Sequence, residues 1–143
     1  PYYTAHDVRQ YNMEKVLNYL KNCRTFYIAT TEGDQPRVRP FGAVCQYEGK
    51  LYFGTNNKKD VYNQMLKNPK VEICGVYNGT WIRIEGKVKE DTRREARVAM
   101  MDDNKAALSS MYTVDDNLMT VFCFTEGKAT IYSFTEEPTV IEL

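Results

Sequence analysis

The stretch "KVEICGVY-NGT-WIRIEGKVKE", residues 70–90, most constrains how this chain can fold. Two runs in which β-branched and polar residues alternate flank Asn78-Gly79, and an Asn-Gly pair accepts the positive φ angles of a type I′ turn at little cost. An antiparallel hairpin is expected here. The same grammar recurs along the chain. "TFYIATT" runs into the turn "EGDQP", "RVRPFGAVCQY" and "KLYFGT" are joined by Glu48-Gly49, and "LMTVFCFT" and "KATIYSF" read as two last strands split by Glu126-Gly127. Six or seven strands in successive hairpins, with helices inserted between them, predict a mainly β, α+β domain closed as a small antiparallel barrel.

Three segments carry helical periodicity instead. In "MEKVLNYLKN", Met13, Val16, Leu17 and Leu20 fall on one face. After "YFGTNNKKD", Val61, Met65 and Leu66 share a face, and Asn68-Pro69 stops the helix. "DTRREARVAMMDDN" begins acidic and offers Ala96, Val98, Ala99 and Met100 to a core. Residues 1–12 precede Met13 and are expected to be a short N-terminal arm or a cloning remnant, ahead of one domain over residues 13–143.

Composition removes several classes of function. Lys plus Arg and Asp plus Glu balance at 19 each, so no global field points to nucleic acid or to an anionic membrane. No apolar run approaches the ~20 residues a bilayer requires, and the N-terminus lacks a signal-like apolar segment, which makes the cytoplasm the expected compartment. Cys23, Cys45, Cys74 and Cys123 form no C-x-x-C pair and are expected as reduced, buried thiols. The single histidine, His6, lies in the polar N-terminal segment. A Cys/His metal site or a Ser-His-Asp hydrolase would have to recruit that one residue, so no metal is expected.

The segment "YFGTNNKKDVYNQMLKNP" concentrates hydrogen-bond donors where a strand feeds a helix. Thr55, Asn56, Asn57, Lys58 and Lys59 stand just before the helical pattern. Free N–H groups at a helix start, with cations beside them, suit an anion. Turn formation and solubility are the competing explanation of the same residues.

In order and spacing, the short first helix, "FYIATTEGDQPRVRPFG", "GKLYFGT", a helix ending in "NP", and "WIRIEGKV" resemble the pyridoxamine 5′-phosphate oxidase-like family of FMN-binding split barrels, and most nearly its small bacterial members and the nitroimidazole-resistance proteins. The resemblance covers nearly the whole chain from Met13. It implies an FMN-binding type of split barrel and a flavin site to which Arg39, Pro40, Phe41 and Gly42 contribute from "RVRPFG", and Gly54, Thr55 and Asn56 from the following strand end. The position of the family's phosphate lysine, eight residues before the proline of "NP", is Val61 here. The role passes by chemistry to Lys58 and Lys59. Gln64 and Trp81 fall near the flavin by the same comparison, although Trp81 suits a hairpin core equally well.

The resemblance further implies a homodimer with the flavin at the subunit interface, with "SMYTVDD" and the last hairpin as candidates for the second subunit's contribution. Basic residues that would hold a phosphorylated pyridoxal substrate are missing: their positions are Val44, Thr130 and Tyr132. With no nucleophile–base pair in the sequence, chemistry is left to the cofactor, and no catalytic residue is assigned. The expectation is an FMN-dependent oxidoreductase that takes electrons from a donor such as NAD(P)H and reduces a small, flat, electron-poor acceptor. A non-catalytic flavin carrier or sensor is the alternative, and a deazaflavin or haem in the same cleft is a third.

Overall fold

The computed structural model describes residues 2–143 and contains four helices and eight strands. In chain order they are α1 (Ala5–Cys23), β1 (Phe26–Glu32), β2 (Gln35–Phe41), β3 (Val44–Tyr47), β4 (Lys50–Asn56), α2 (Asp60–Lys67), β5 (Lys70–Tyr77), β6 (Thr80–Glu90), α3 (Arg94–Asp103), α4 (Lys105–Leu108), β7 (Met119–Tyr132) and β8 (Thr139–Glu142). The strands form one antiparallel sheet in the order β2-β1-β5-β6-β7-β4-β3, with β8 on β7. Its two edge strands, β2 and β3, are joined through Gly42-Ala43, so the sheet rolls back on itself as a split barrel.

The hairpins at Glu48-Gly49 and Asn78-Gly79 form as the dipeptides predict, with φ of 50° and 74° in the first and 51° and 76° in the second. Two strand boundaries differ from the sequence reading. "RVRPFGAVCQY" divides into β2 and β3, because Gly42-Ala43 carries the chain from one edge of the sheet to the other. Glu126-Gly127 makes no turn: β7 runs unbroken through it, and β8 supplies an additional strand. The register of β6 on β7 shifts between Lys87 and Val88, and Gly86 lies directly opposite Gly127. A Cβ on Gly86 would stand 2.1 Å from the Glu126 carbonyl oxygen. The glycine signal here serves close backbone approach at a bulge.

Two cores follow. The rolled sheet encloses Phe26, Ile28, Phe53, Ile73, Ile82, Ile84 and Phe122, closed by Val16, Leu17 and Leu20 of α1 and by Val61 and Met65 of α2. On the other face of β3, β4 and β7, Tyr52, Cys45 and Cys123 pack against Ala96, Met100 and Met101 of α3 and Leu108 of α4. On α3, Ala96 and Met100 are buried as expected and Met101 joins them, while Val98 and Ala99 are only partly covered. On α2 the third buried position is Gln64, while Leu66 is exposed. α1 begins at Ala5, where Thr4 and Asp7 form a capping box, so the polar segment before Met13 continues the helix. All four cysteines are free thiols, with Cys45 and Cys123 buried and Cys23 and Cys74 half-buried. No described helix is long and apolar enough to cross a membrane, and the described residues hold no His/Cys/Asp/Glu cluster suited to a metal.

Candidate functional site

Where the chain crosses from β2 to β3, the sheet edge opens into a cleft of 390 Å³. Its floor comes from Arg39, Pro40, Phe41, Gly42 and Ala43, together with Gly54 and Thr55 of β4 and Lys59 ahead of α2. A wall is supplied by Leu108 of α4, by Met111 and Tyr112 of the segment after it, and by Met119 at the start of β7. Arg24 and Thr25, between α1 and β1, complete the rim. The volume suits a small-molecule cofactor, and the lining pairs an apolar wall with a few polar groups.

The charges in this cleft are uneven. Arg24, Arg39 and Lys59 line it and no carboxylate does, in a chain whose formal charge is zero. None of the three makes an ion pair among the described residues, whereas Arg37, Arg83, Lys87, Arg93, Arg94 and Lys128 all do. Arg39 is half-buried and donates only to neutral acceptors: Nη1 to the Ile28 carbonyl at 3.2 Å and to Thr30 Oγ1 at 2.7 Å, and Nη2 to Gln64 Oε1 at 2.6 Å. Burial lowers its pKa from the usual arginine value, with the neighbouring Arg37 charge adding to the effect. The Asp60 charge partly opposes these effects, but no carboxylate forms an ion pair with Arg39 among the described residues.

Lys59 is the N-cap of α2, and no side chain caps that helix start. The opening N–H groups of α2 therefore have no side chain to satisfy them, and Lys59, at the head of the helix, lines the cleft. Thr55 is buried, and its Oγ1 has no hydrogen-bond partner. A buried hydroxyl without a partner is costly, and a ligand oxygen would satisfy it. The donor set thus fits an anionic cofactor with hydroxyls, which is the chemistry of a ribityl phosphate.

The structure brings together Arg39, Pro40, Phe41, Gly42, Gly54, Thr55 and Lys59 of the sequence-derived set. Gln64 stands behind Arg39 and lines a second hollow, shared with Glu32, Arg37 and Asp60, across the Arg39–Pro40–Lys59 ridge. Asn56 braces the wall: its Nδ2 donates to the Tyr112 hydroxyl at 2.7 Å, and its Oδ1 accepts from the Lys58 N–H at 3.0 Å. Lys58 is exposed and does not line the cleft. Trp81 lies elsewhere on this chain, stacked on Tyr132 at 5.5 Å and tilted against Phe134 at 5.1 Å.

"SMYTVDD" belongs to the chain's own cleft through Met111 and Tyr112. Arg24 and the 107–112 wall had no motif to announce them; the aromatic-methionine pair "MY" was the only signal. A larger, shallower hollow of 680 Å³ lies over β1, β5, β6 and β7, and four of its charged residues are tied up in the Glu85–Lys128 and Lys87–Glu126 pairs.

Residues 13–131 match the pyridoxamine 5′-phosphate oxidase family. Among solved structures, a NimC/NimA family protein from Clostridium acetobutylicum is 46% identical, with a TM-score of 0.91 over 99% of this chain and 100% of that one. A pyridoxamine 5′-phosphate oxidase-related, FMN-binding protein from Nostoc punctiforme is 14% identical, with a TM-score of 0.60 over 99% of this chain and 97% of that one. A haem-binding protein from Mycobacterium smegmatis is 12% identical, with a TM-score of 0.70 over 93% of this chain and 57% of that one. At the two lower identities the likeness is one of fold. No curated relative matches the sequence.

Proposed function

The chain belongs to the pyridoxamine 5′-phosphate oxidase family, and from that premise we propose that it binds FMN in the cleft between the β2–β3 crossing and the 107–112 wall and reduces a small, electron-poor acceptor. The observation that carries this reading is the pair of unneutralised cations, Arg39 and Lys59, beside an uncapped helix start and the unpartnered Thr55 hydroxyl. A phosphate placed there gains charge-assisted hydrogen bonds, each about 1.5–3 kcal/mol. Micromolar affinity needs roughly 8 kcal/mol, so ring burial must add to them. Phe41, Leu108, Met119 and Tyr112 offer the apolar surface for it.

When bound, the flavin supplies hydride and single-electron chemistry. The chain's own residues hold it and shield it: Lys59 and the α2 start take the phosphate, Thr55 takes a hydroxyl, and the wall excludes water. Pyridoxamine phosphate oxidation is disfavoured. Val44 is buried in the core, Thr130 is uncharged, and Tyr132 is occupied by Trp81, so the positions that would grip a phosphorylated substrate hold no cation.

A homodimer with the cofactor near the interface accords with the outer sheet face. Tyr27, Val38 and Val76 are exposed there, and cross-strand register continues the apolar band through Trp81 to Tyr132 and the exposed Phe134. A second copy seated on that band would cover Trp81.

The test is titration of purified, flavin-free protein with FMN and with riboflavin, followed by the absorbance spectrum. The reading expects FMN to bind at micromolar concentration or better and to be preferred over riboflavin. Equal affinity, or a haem or deazaflavin spectrum in the protein as isolated, would falsify it. Anaerobic addition of NADH or NADPH separates oxidoreductase from carrier, since only the former bleaches the flavin band.

A further inference from the structure

Arg24 is the one cleft cation that the flavin reading leaves without a task. Its backbone is unusual: φ is 65° and ψ is −59°, and the Thr25 N–H bonds back to the Cys23 carbonyl at 2.8 Å. That is a γ-turn of the positive-φ kind, rare and strained for a residue with a side chain. Glycine would relieve the strain, yet an arginine occupies the turn, and that residue lines the cleft. The side chain is exposed and has no ion pair or hydrogen bond among the described residues. Strain held at a ligand-lining position points to function.

Arg24 meets the cleft at Gly42. Its carbonyl oxygen lies 3.6 Å from where a Cβ on Gly42 would be, whereas the phosphate cations are Arg39 and Lys59. Three residues of extended chain, about 10 Å, part Gly42 from Arg39. Thr25 and the apolar side chains of Leu108 and Met119 line the same cleft. A guanidinium presents a planar fork that matches a carboxylate.

We propose that Arg24 selects the acceptor: the cleft's second ligand is a small planar molecule bearing a carboxylate, which the Arg24 guanidinium pairs at the rim beside Gly42. This rests on the flavin reading above and adds the substrate class to it. Arg24 contributes binding and orientation, and no bond to it forms or breaks.

The experiment uses FMN-loaded wild-type, Arg24→Gln and Arg24→Gly proteins. Each is titrated with 4-nitrobenzoate and with its methyl ester, and binding is read as the perturbation of the flavin absorbance band without a reductant. Wild type should bind the carboxylate at least tenfold tighter than the ester. Both variants should lose that preference through the carboxylate alone, with the ester's affinity unchanged. Arg24→Gly should in addition melt about 2–6 °C higher than wild type, because the turn no longer strains. Equal binding of the two probes by wild type overturns the proposal, as does an equal loss of both in Arg24→Gln. Should Arg24→Gln instead abolish FMN binding, Arg24 is a flavin anchor and the acceptor assignment is wrong. Failure of wild type to bind FMN at all is a different result: it removes the flavin reading itself.

Discussion

Arg39 Nη2 and Gln64 Oε1 lie 2.6 Å apart, and the same oxygen accepts from the Thr30 hydroxyl at 2.6 Å. Gln64 is buried on α2, so this contact fixes a cation of the cleft floor to the helix whose N-cap, Lys59, lines the same cleft. Gln64→Leu strips two donors of their acceptor and should cost about 1–3 kcal/mol of stability. Gln64→Glu is the more informative change. It gives Arg39 a counter-ion but replaces the Nε2 donor that meets Glu32 Oε2 at 3.3 Å with a second carboxylate oxygen, so some thermal stability should be lost while the preference for FMN over riboflavin shrinks. Melting curves and the two titrations distinguish the outcomes. An unchanged preference in Gln64→Glu would show that the Arg39 charge does not act on the ligand.

Two glycines should respond to alanine in opposite ways. At Gly42 a Cβ would meet only the Arg24 carbonyl oxygen, at an ordinary 3.6 Å, so the fold accepts it and only the cleft narrows. Gly42→Ala should leave the melting temperature within error and weaken FMN on the order of tenfold, about 1.4 kcal/mol. At Gly86 the same atom would stand 2.1 Å from the Glu126 carbonyl and 2.8 Å from Gly127 Cα, both backbone. Gly86→Ala should destabilise by about 1–3 kcal/mol or more, read by calorimetry of the flavin-free protein. If Gly42→Ala melts early as well, Gly42 serves the fold and not the ligand.

These glycines also mark how far the sequence was legible. Asn78-Gly79 and Glu48-Gly49 are local devices, and their turns form as read because the dipeptide itself demands positive φ. Glu126-Gly127 looks identical as a string, yet its glycine answers to Gly86 across the sheet, a partner no local reading can name. The same division runs through the site. Arg39 to Gly42 of "RVRPFG" and Gly54, Thr55 and Lys59 of "FGTNNKK" come from contiguous segments and line one cleft; Leu108, Met111 and Tyr112 reach it only by packing, with Tyr112 held by the Asn56 bond. Trp81 could serve a ligand or an aromatic cluster, and within this chain it stacks on Tyr132.

The acid limb of stability should depend on Asp91. Hydrogen bonds from Arg93, and another from the Tyr52 hydroxyl at 2.7 Å, hold its carboxyl below the usual carboxylate range. A carboxyl with a depressed folded pKa contributes stability that is present above its unfolded value of about 4. That contribution is lost as the pH falls through the folded value. Asp91→Asn should therefore lower stability at pH 6 and flatten its decline below pH 4, measured by urea unfolding at several pH values. A parallel decline in wild type and variant would assign the acid limb to other carboxylates.

The alkaline limb should carry the mark of Cys45, the buried thiol that lines the second core. Burial pushes its pKa from 9.0 up to about 12, with the Asp103 charge adding to the rise. The folded protein keeps that proton where the unfolded chain releases it. Its contribution is whole below pH 9 and lost as the pH climbs toward 12. One pH unit above the unfolded value the loss is about 1.4 kcal/mol. Cys45→Ala removes the titrating group at the expense of a small cavity, so the variant should be less stable than wild type at pH 7 and show a shallower fall between pH 9 and 10. Other titrating groups are common to both proteins, so the difference between the two slopes isolates Cys45. Urea midpoints at pH 7, 9 and 10 for both proteins decide the matter. Identical slopes would mean that the Cys45 thiol exchanges its proton with solvent in the folded state, and that the packing of α3 and α4 over β3 is looser than the structure implies.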